Sequence, residues 1–266
     1  MAADAPGMQP GAPPRGFEPD RAVERGYETA HPADDAYPSL GTTVAAVTRM
    51  VLRSPLTRLA AVLLLIDFAF IAIQIAAEAS DYAFRGSFSL GLEKEHGAAE
   101  IYGYAQSFGV AVLLLLAWRR WRNPVACFWA GLYLFVLLDD ALLIHERAGS
   151  AIADFGVVSI ASLRAQDVGE LTFYALLGSL ALTALLAVER RHPPGPRPST
   201  LTRLMLPVTG LLFTFAVVID AAASTLPFEA ALEDGGELIV LSLALLVSVA
   251  WARRPEMIAA LLEPSD

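Results

Sequence analysis

The chain contains a single cysteine, Cys127, so no disulfide can form within it, and a lone thiol of this kind behaves as a small hydrophobe. Histidine is scarce too: of four, only His145 adjoins an apolar stretch, which argues against haem held by paired histidines and against His-rich membrane desaturases. It also weakens the case for a three-histidine zinc hydrolase. There is no H-E-x-x-H, no Walker loop, no G-x-S-x-G and no G-x-G-x-x-G after a strand. Basic residues cluster only beside apolar stretches, so nucleic acid is not an expected ligand. Apolar residues do not alternate with period two, which excludes membrane-spanning strands.

What the chain has is apolar length. Hydrophobic residues make up 55% and mean hydropathy is +0.51, too apolar for an ordinary soluble domain of this size. Six stretches stand out: Leu59–Ala79, Ile101–Trp118, Val125–Ile144, Val168–Val188, Leu204–Ala222 and Leu238–Trp251. A helix needs about 20 residues to cross a ~30 Å hydrocarbon core, so the shorter stretches must continue into flanking polar residues. The expected fold is all-α, a polytopic membrane protein of six transmembrane helices with the lipid bilayer as its partner. The domain spans 46–254, between a Pro- and Gly-rich disordered tail at 1–45 and a short tail at 255–266. No signal-peptide pattern begins the sequence, so the first span is expected to act as an uncleaved anchor.

Charge orients the bundle. Arg49, Arg53, Arg58, Arg119, Arg120, Arg122, Arg190, Arg191, Arg197, Arg203, Arg253 and Arg254 fall on one side, with Trp118, Trp121 and Trp251 beside them at the expected interface. Short Arg-rich loops stay cytoplasmic, which predicts a cell inner (plasma) membrane protein with both termini cytoplasmic. The acids collect on the other side: Glu78, Asp81, Glu93, Glu95 and Glu100, then Asp139, Asp140, Glu146, Asp154, Asp167 and Glu170, then Asp220, Glu229, Glu233, Asp234 and Glu237. IleAsp at 66–67, LeuAspAsp at 138–140 and IleAsp at 219–220 alternate with AlaGluIle at 99–101 and GlyGluLeu at 169–171 and 236–238. This fits a helical hairpin repeated three times, with chance as the competing explanation for such short matches. On that pattern Glu100, Glu170 and Glu237 each open a helix, where an acid also suits the helix dipole.

The densest chemistry lies in LeuLeuAspAspAlaLeuLeuIleHisGluArg, 137–147. On one continuous helix Asp139 and Glu146 share a line, flanked by Asp140 and His145. Glu233 and Glu237, and Asp167 and Glu170, share faces if their helices begin early enough. Carboxylates from several helices with one imidazole are ligands that iron, manganese or zinc accept. The expected metal ligands are Asp139, His145, Glu146, Glu170, Glu233 and Glu237, with Asp140 as general base. Solvated acids at an interface are the bland alternative, but an unpaired charge at the depth of Asp139 and Asp140 costs at least ~2.5 kcal/mol. Asp67, Gln74 and Glu78 form a second polar stripe along the first span, which reads as a proton or ion path or as the wall of an outward-open cavity, with Glu100 and Asp220 as further members of the polar set. Alternatively, Asp67 stays protonated and hydrogen-bonds a neighbouring helix.

The motif D-[DE]-x4-H-E at Asp139, Asp140, His145 and Glu146, with E-[ED]-x2-E-L at Glu233, Asp234 and Glu237, resembles uncharacterised bacterial multi-pass membrane proteins. The resemblance implies topology and these residues, and no activity. The expected function is therefore a divalent-metal site on the outer side, catalytic on a lipidic or membrane-embedded substrate or closing the bundle. A proton- or cation-coupled carrier using the same acids is the alternative, and a non-catalytic assembly or sensing subunit is a third class. Few polar residues lie in the cytoplasmic half beyond Ser242, Ser248, Thr209 and Thr214, which favours a one-sided site.

Overall fold

Within a bilayer every backbone N–H and C=O must be satisfied inside the protein, and apolar runs of this length do so as helices. The computed structural model describes residues 56–79, 90–92, 96–156, 159, 163–191, 196–219 and 228–253. Both predicted tails, and Asp220, lie outside the described residues. The helices are α1 (Leu56–Ala79), α2 (Ala98–Trp121), α3 (Pro124–Leu142), α4 (Ile144–Asp154), α5 (Ala165–Arg191), α6 (Pro196–Phe213) with a π-helical extension at Thr214–Ile219, and α7 (Glu229–Arg253). Six are long and apolar enough to cross a membrane, and α4 is a short amphipathic insert at the acidic end. The protein is thus an all-α multi-pass membrane protein.

The helices extend past their apolar cores, as length requires. α7 begins at Glu229, nine residues before the apolar stretch, and α5 at Ala165, so Glu233 with Glu237 and Asp167 with Glu170 are helical. Glu100 and Asp167 lie in first turns, but Glu237 lies two turns inside α7. The dipole explanation therefore fails for Glu237. The repeat is not supported by depth either, because Asp67 lies midway along α1 whereas Asp139 lies three residues from the end of α3.

The third span departs most from expectation. It ends at Leu142, because Leu143 takes a left-handed conformation (φ 50°, ψ 46°) and its N–H closes onto the carbonyls of Asp139 and Asp140. A new helix then starts at Ile144. At the other end a two-residue turn joins α2 to α3: the Arg122 N–H bonds the Trp118 carbonyl at 2.7 Å, and Asn123 caps α3 by accepting the Val125 N–H, with Pro124 at the first helical position.

α7 is the centre of the bundle, packed by α1, α2 and α6. Lipid tails are as apolar as leucine, so helices associate in a membrane by close packing and not by hiding oil from water. Gly236 shows this, since a Cβ there would stand 2.3 Å from the Phe215 ring of the π segment. Towards the arginine end the bundle is sealed by Leu114, Trp129, Leu201, Met205, Val247 and Trp251, all 0–1% exposed. Trp251 is thus a core residue and not an interfacial one, because α7 is enclosed by its neighbours. Leu65, Leu176 and Leu180 point outwards, as a lipid-facing surface requires.

Candidate metal centre at the acidic end

The break at Leu143 builds the site. Starting a new helix frees backbone N–H groups that a helix interior would have consumed. The His145 N–H donates to Asp139 Oδ1 at 2.9 Å, and His145 Nδ1 meets Asp139 Oδ2 at 3.2 Å. Tyr174, from α5, donates its hydroxyl to the same Oδ2 at 2.9 Å and stacks on the imidazole with ring centres 5.5 Å apart. Asp139 is 3% exposed and receives three donors, so its charge is compensated where an unpaired one would be costly. With Nδ1 engaged by Asp139, Nε2 is the ring nitrogen left for a metal.

The pair also sets the charge on the imidazole. Burial pulls the His145 pKa down, but the hydrogen bond and charge of Asp139, with Asp140 and Glu170 beyond, outweigh it and raise the value above the ordinary 6.5.

In front of His145 opens a cavity of about 510 Å³. Its wall carries Glu100 from α2, Asp140 from α3, His145 and Glu146 from α4, Asp167 and Glu170 from α5, and Glu233, Asp234 and Glu237 from α7. Five helices therefore deliver acids to one space. Tyr104, Arg164, Gln166 and Tyr174 complete its polar lining. Several of these acids have local partners: Glu100 accepts the His96 N–H and, at 2.5 Å, the Tyr104 hydroxyl, and Gln166 donates to Glu170 at 2.8 Å. Arg164 and Asp167 form an ion pair at 2.7 Å.

Among the described residues, Asp139, Asp140 and His145 form the group able to hold a metal, with one donor atom from each lying within 4.8 Å of the others. Neighbouring donors around a tetrahedral ion at about 2.1 Å stand about 3.4 Å apart, so binding would draw the group in by up to about 1.4 Å. Asp139 does not line the cavity and its oxygens already serve three donors, whereas Asp140 does line it. Both aspartates belong to that group, but only Asp140 also lines the cavity, while Asp139 contacts the imidazole. The helical-wheel grouping of Asp139 with Glu146 fails because the helix is not continuous. Tyr174 was missed; its spacing of four from Glu170 places both on one face of α5.

Of the second polar set, Glu100 lines the cavity, Asp220 lies outside the described residues, and the three residues of α1 separate into two environments. Gln74 donates to Glu78 at 2.9 Å and accepts the Leu92 N–H at 3.0 Å, tying a loop to α1. Asp67 lies about 10 Å deeper by helical rise and faces α2 and α7 instead. None of Asp67, Gln74 and Glu78 lines the cavity.

No curated protein and no solved structure matches the chain. A family model does, over residues 56–252, which takes in all of the described bundle but its last residue, Arg253, and every residue of the cavity wall. The chain belongs to the family described as Domain of unknown function (DUF8692).

Proposed function

We propose that the cavity binds a divalent metal, iron, manganese or zinc, through Asp140 and His145, with Glu146, Glu170, Glu233 or Glu237 completing its sphere. One observation supports this above all: Asp139 grips Nδ1 of His145 while Asp140 and acids from four other helices share the cavity with that ring. A metal-binding histidine is typically held this way, by a carboxylate on its other nitrogen that fixes ring orientation and raises ligand basicity. Acids this close cannot all ionise without a compensating cation, and the Arg164 guanidinium is engaged by Asp167.

The substrate is lipidic or membrane-embedded, since the cavity lies at the membrane end of the bundle and its deeper wall is apolar, with Leu171, Val217, Leu238 and Leu241. A divalent ion in this setting supplies polarisation of a substrate oxygen. The protein's own part is to orient the imidazole through Asp139 and Tyr174, and whichever cavity acids do not hold the ion would accept protons. The arginine end faces the cytoplasm of a bacterial inner membrane, on the charge asymmetry of the loops. The apolar seal at that end disfavours the carrier alternative.

The test is metal analysis of detergent-purified protein with thermal melting. Chelation should lower Tm, restoration of metal at 100 times Kd should return about 2.7 kcal/mol of stability, and His145→Ala or Asp140→Asn should abolish the difference. Affinity should rise with pH, because the metal displaces a proton from His145. If no metal copurifies and none shifts Tm, the proposal fails.

A further inference from the structure

A second polar cluster lies deeper in the bundle, unconnected with the metal proposal. Asp67 of α1, Tyr102 and Gln106 of α2 and Ser242 of α7 meet in the membrane interior. Asp67 is 0% exposed, and neither of its oxygens makes a hydrogen bond of normal geometry, although these three side chains stand around it. Gln106 Nε2 is committed to Ser242 Oγ at 2.6 Å, which leaves Gln106 Oε1 unpaired as well. The Tyr102 hydroxyl points to the Leu63 carbonyl at 3.5 Å. The cluster therefore has more acceptors than hydrogens.

A buried carboxylate needs a positive charge or several donors. Among the described residues no lysine, arginine or histidine acts on Asp67; Tyr102 is the ionisable side chain that faces it from α2, and α7 contributes the uncharged Ser242. Space decides between the remaining cations. Each Asp67 oxygen exposes less than 1 Å² to a water-sized sphere, so no void beside it suits a metal ion. A proton requires none.

We propose that Asp67 is a proton-binding site, neutral in the resting protein at neutral pH, with its acid hydrogen directed to Gln106 Oε1. The proton exchanges with the outer cavity through the hydroxyls of Tyr102 and Ser242. Their chain neighbours Gly103 and Leu241 line that cavity, so each hydroxyl-bearing residue lies about one residue's helical rise (~1.5 Å) from a lining position. The bundle thereby holds an exchangeable proton midway across the membrane, on the acidic side of the apolar seal.

The experiment is infrared difference spectroscopy on the full chain in lipid, comparing wild type with Asp67→Asn in H2O and D2O. At neutral pH the wild type should show a carbonyl stretch of a protonated carboxylic acid that shifts in D2O and is lost in the variant. Sodium, potassium or choline as the sole added cation should leave it unchanged, as should chelator. Asp67→Glu is the second variant: it should move the band without removing it, whatever the stability of the asparagine form. Absence of an Asp67-dependent acid band at neutral pH would overturn the proposal, since Asp67 would then be ionised and served by the Gln106 amide. A band that appears only when sodium is withdrawn would overturn it in favour of a metal cation.

Discussion

Asp67 and Asp139 are both buried aspartates in apolar helices, yet one meets no donor of normal geometry and the other meets three. Backbone continuity makes the difference. α1 runs unbroken for 24 residues and spends its interior N–H groups on its own carbonyls, so Asp67 depends on side chains from other helices. α3 stops three residues after Asp139, and the first turn of α4 brings a spare N–H back to that carboxylate. A helix break thus brings a spare backbone donor to a buried acid, while an unbroken helix leaves it dependent on the side chains of its neighbours.

The largest effect expected from this contrast is that of Asp139→Ala. It would strand the His145 N–H, the imidazole and the Tyr174 hydroxyl together, and unsatisfied donors cost about 1–3 kcal/mol each. A loss of about 3 kcal/mol or more in unfolding experiments is expected, against less than half of that for Asp67→Ala, which strands no donor. Equal losses would break the comparison. Next in size is Tyr174→Phe, which removes one of the three bonds and should cost about 1 kcal/mol. It should also weaken metal binding roughly 10- to 100-fold by loosening the carboxylate that orients His145. Titration with metal would show this, and unchanged affinity would remove Tyr174 from the site.

The smallest expected effect is one of pH. Because the folded His145 value is raised, protonation of this residue stabilises the fold fully below its unfolded value near 6.5, and that contribution fades as pH rises through the folded one. In chelator-treated protein the Tm advantage of wild type over His145→Gln should therefore shrink as pH climbs above 6.5. An advantage that grows with pH would contradict the pairing with Asp139.

Much of the architecture was legible because membrane helices are written in composition: six apolar runs and one-sided arginines suffice for the spans. That acids from separate helices would share one end followed from the same asymmetry, and the cavity collects Glu146, Glu170, Glu233 and Glu237 there. The break at Leu143 was not legible, since AlaLeuLeuIle carries no glycine or proline and a leucine rarely adopts positive φ. Everything that depends on the break was hidden with it, including the turn of the His145 N–H and ring back onto Asp139. Tyr174 escaped notice because a tyrosine in an apolar helix has no distinguishing local pattern. The environment of Asp67 was unreadable for a different reason, as Gln106 and Ser242 are 136 residues apart in the chain.

One feature of the site's far wall reaches beyond its chemistry. Gly149 of α4 and Gly169 of α5 touch so closely that a Cβ on Gly169 would stand 2.2 Å from the Gly149 carbonyl oxygen. The two helices thereby touch backbone to backbone, with no room for a side chain between them at this point. Only 6% of the apolar window of α5 is buried in protein, against 67% for α7, so the bilayer supplies most of its surroundings. His145 and Glu146, on α4, are thus held against the candidate span least buried in protein, while Glu233 and Glu237 stand on the span most buried in it. A change in bilayer thickness that tilts α5 would shift one half of the ligand set against the other.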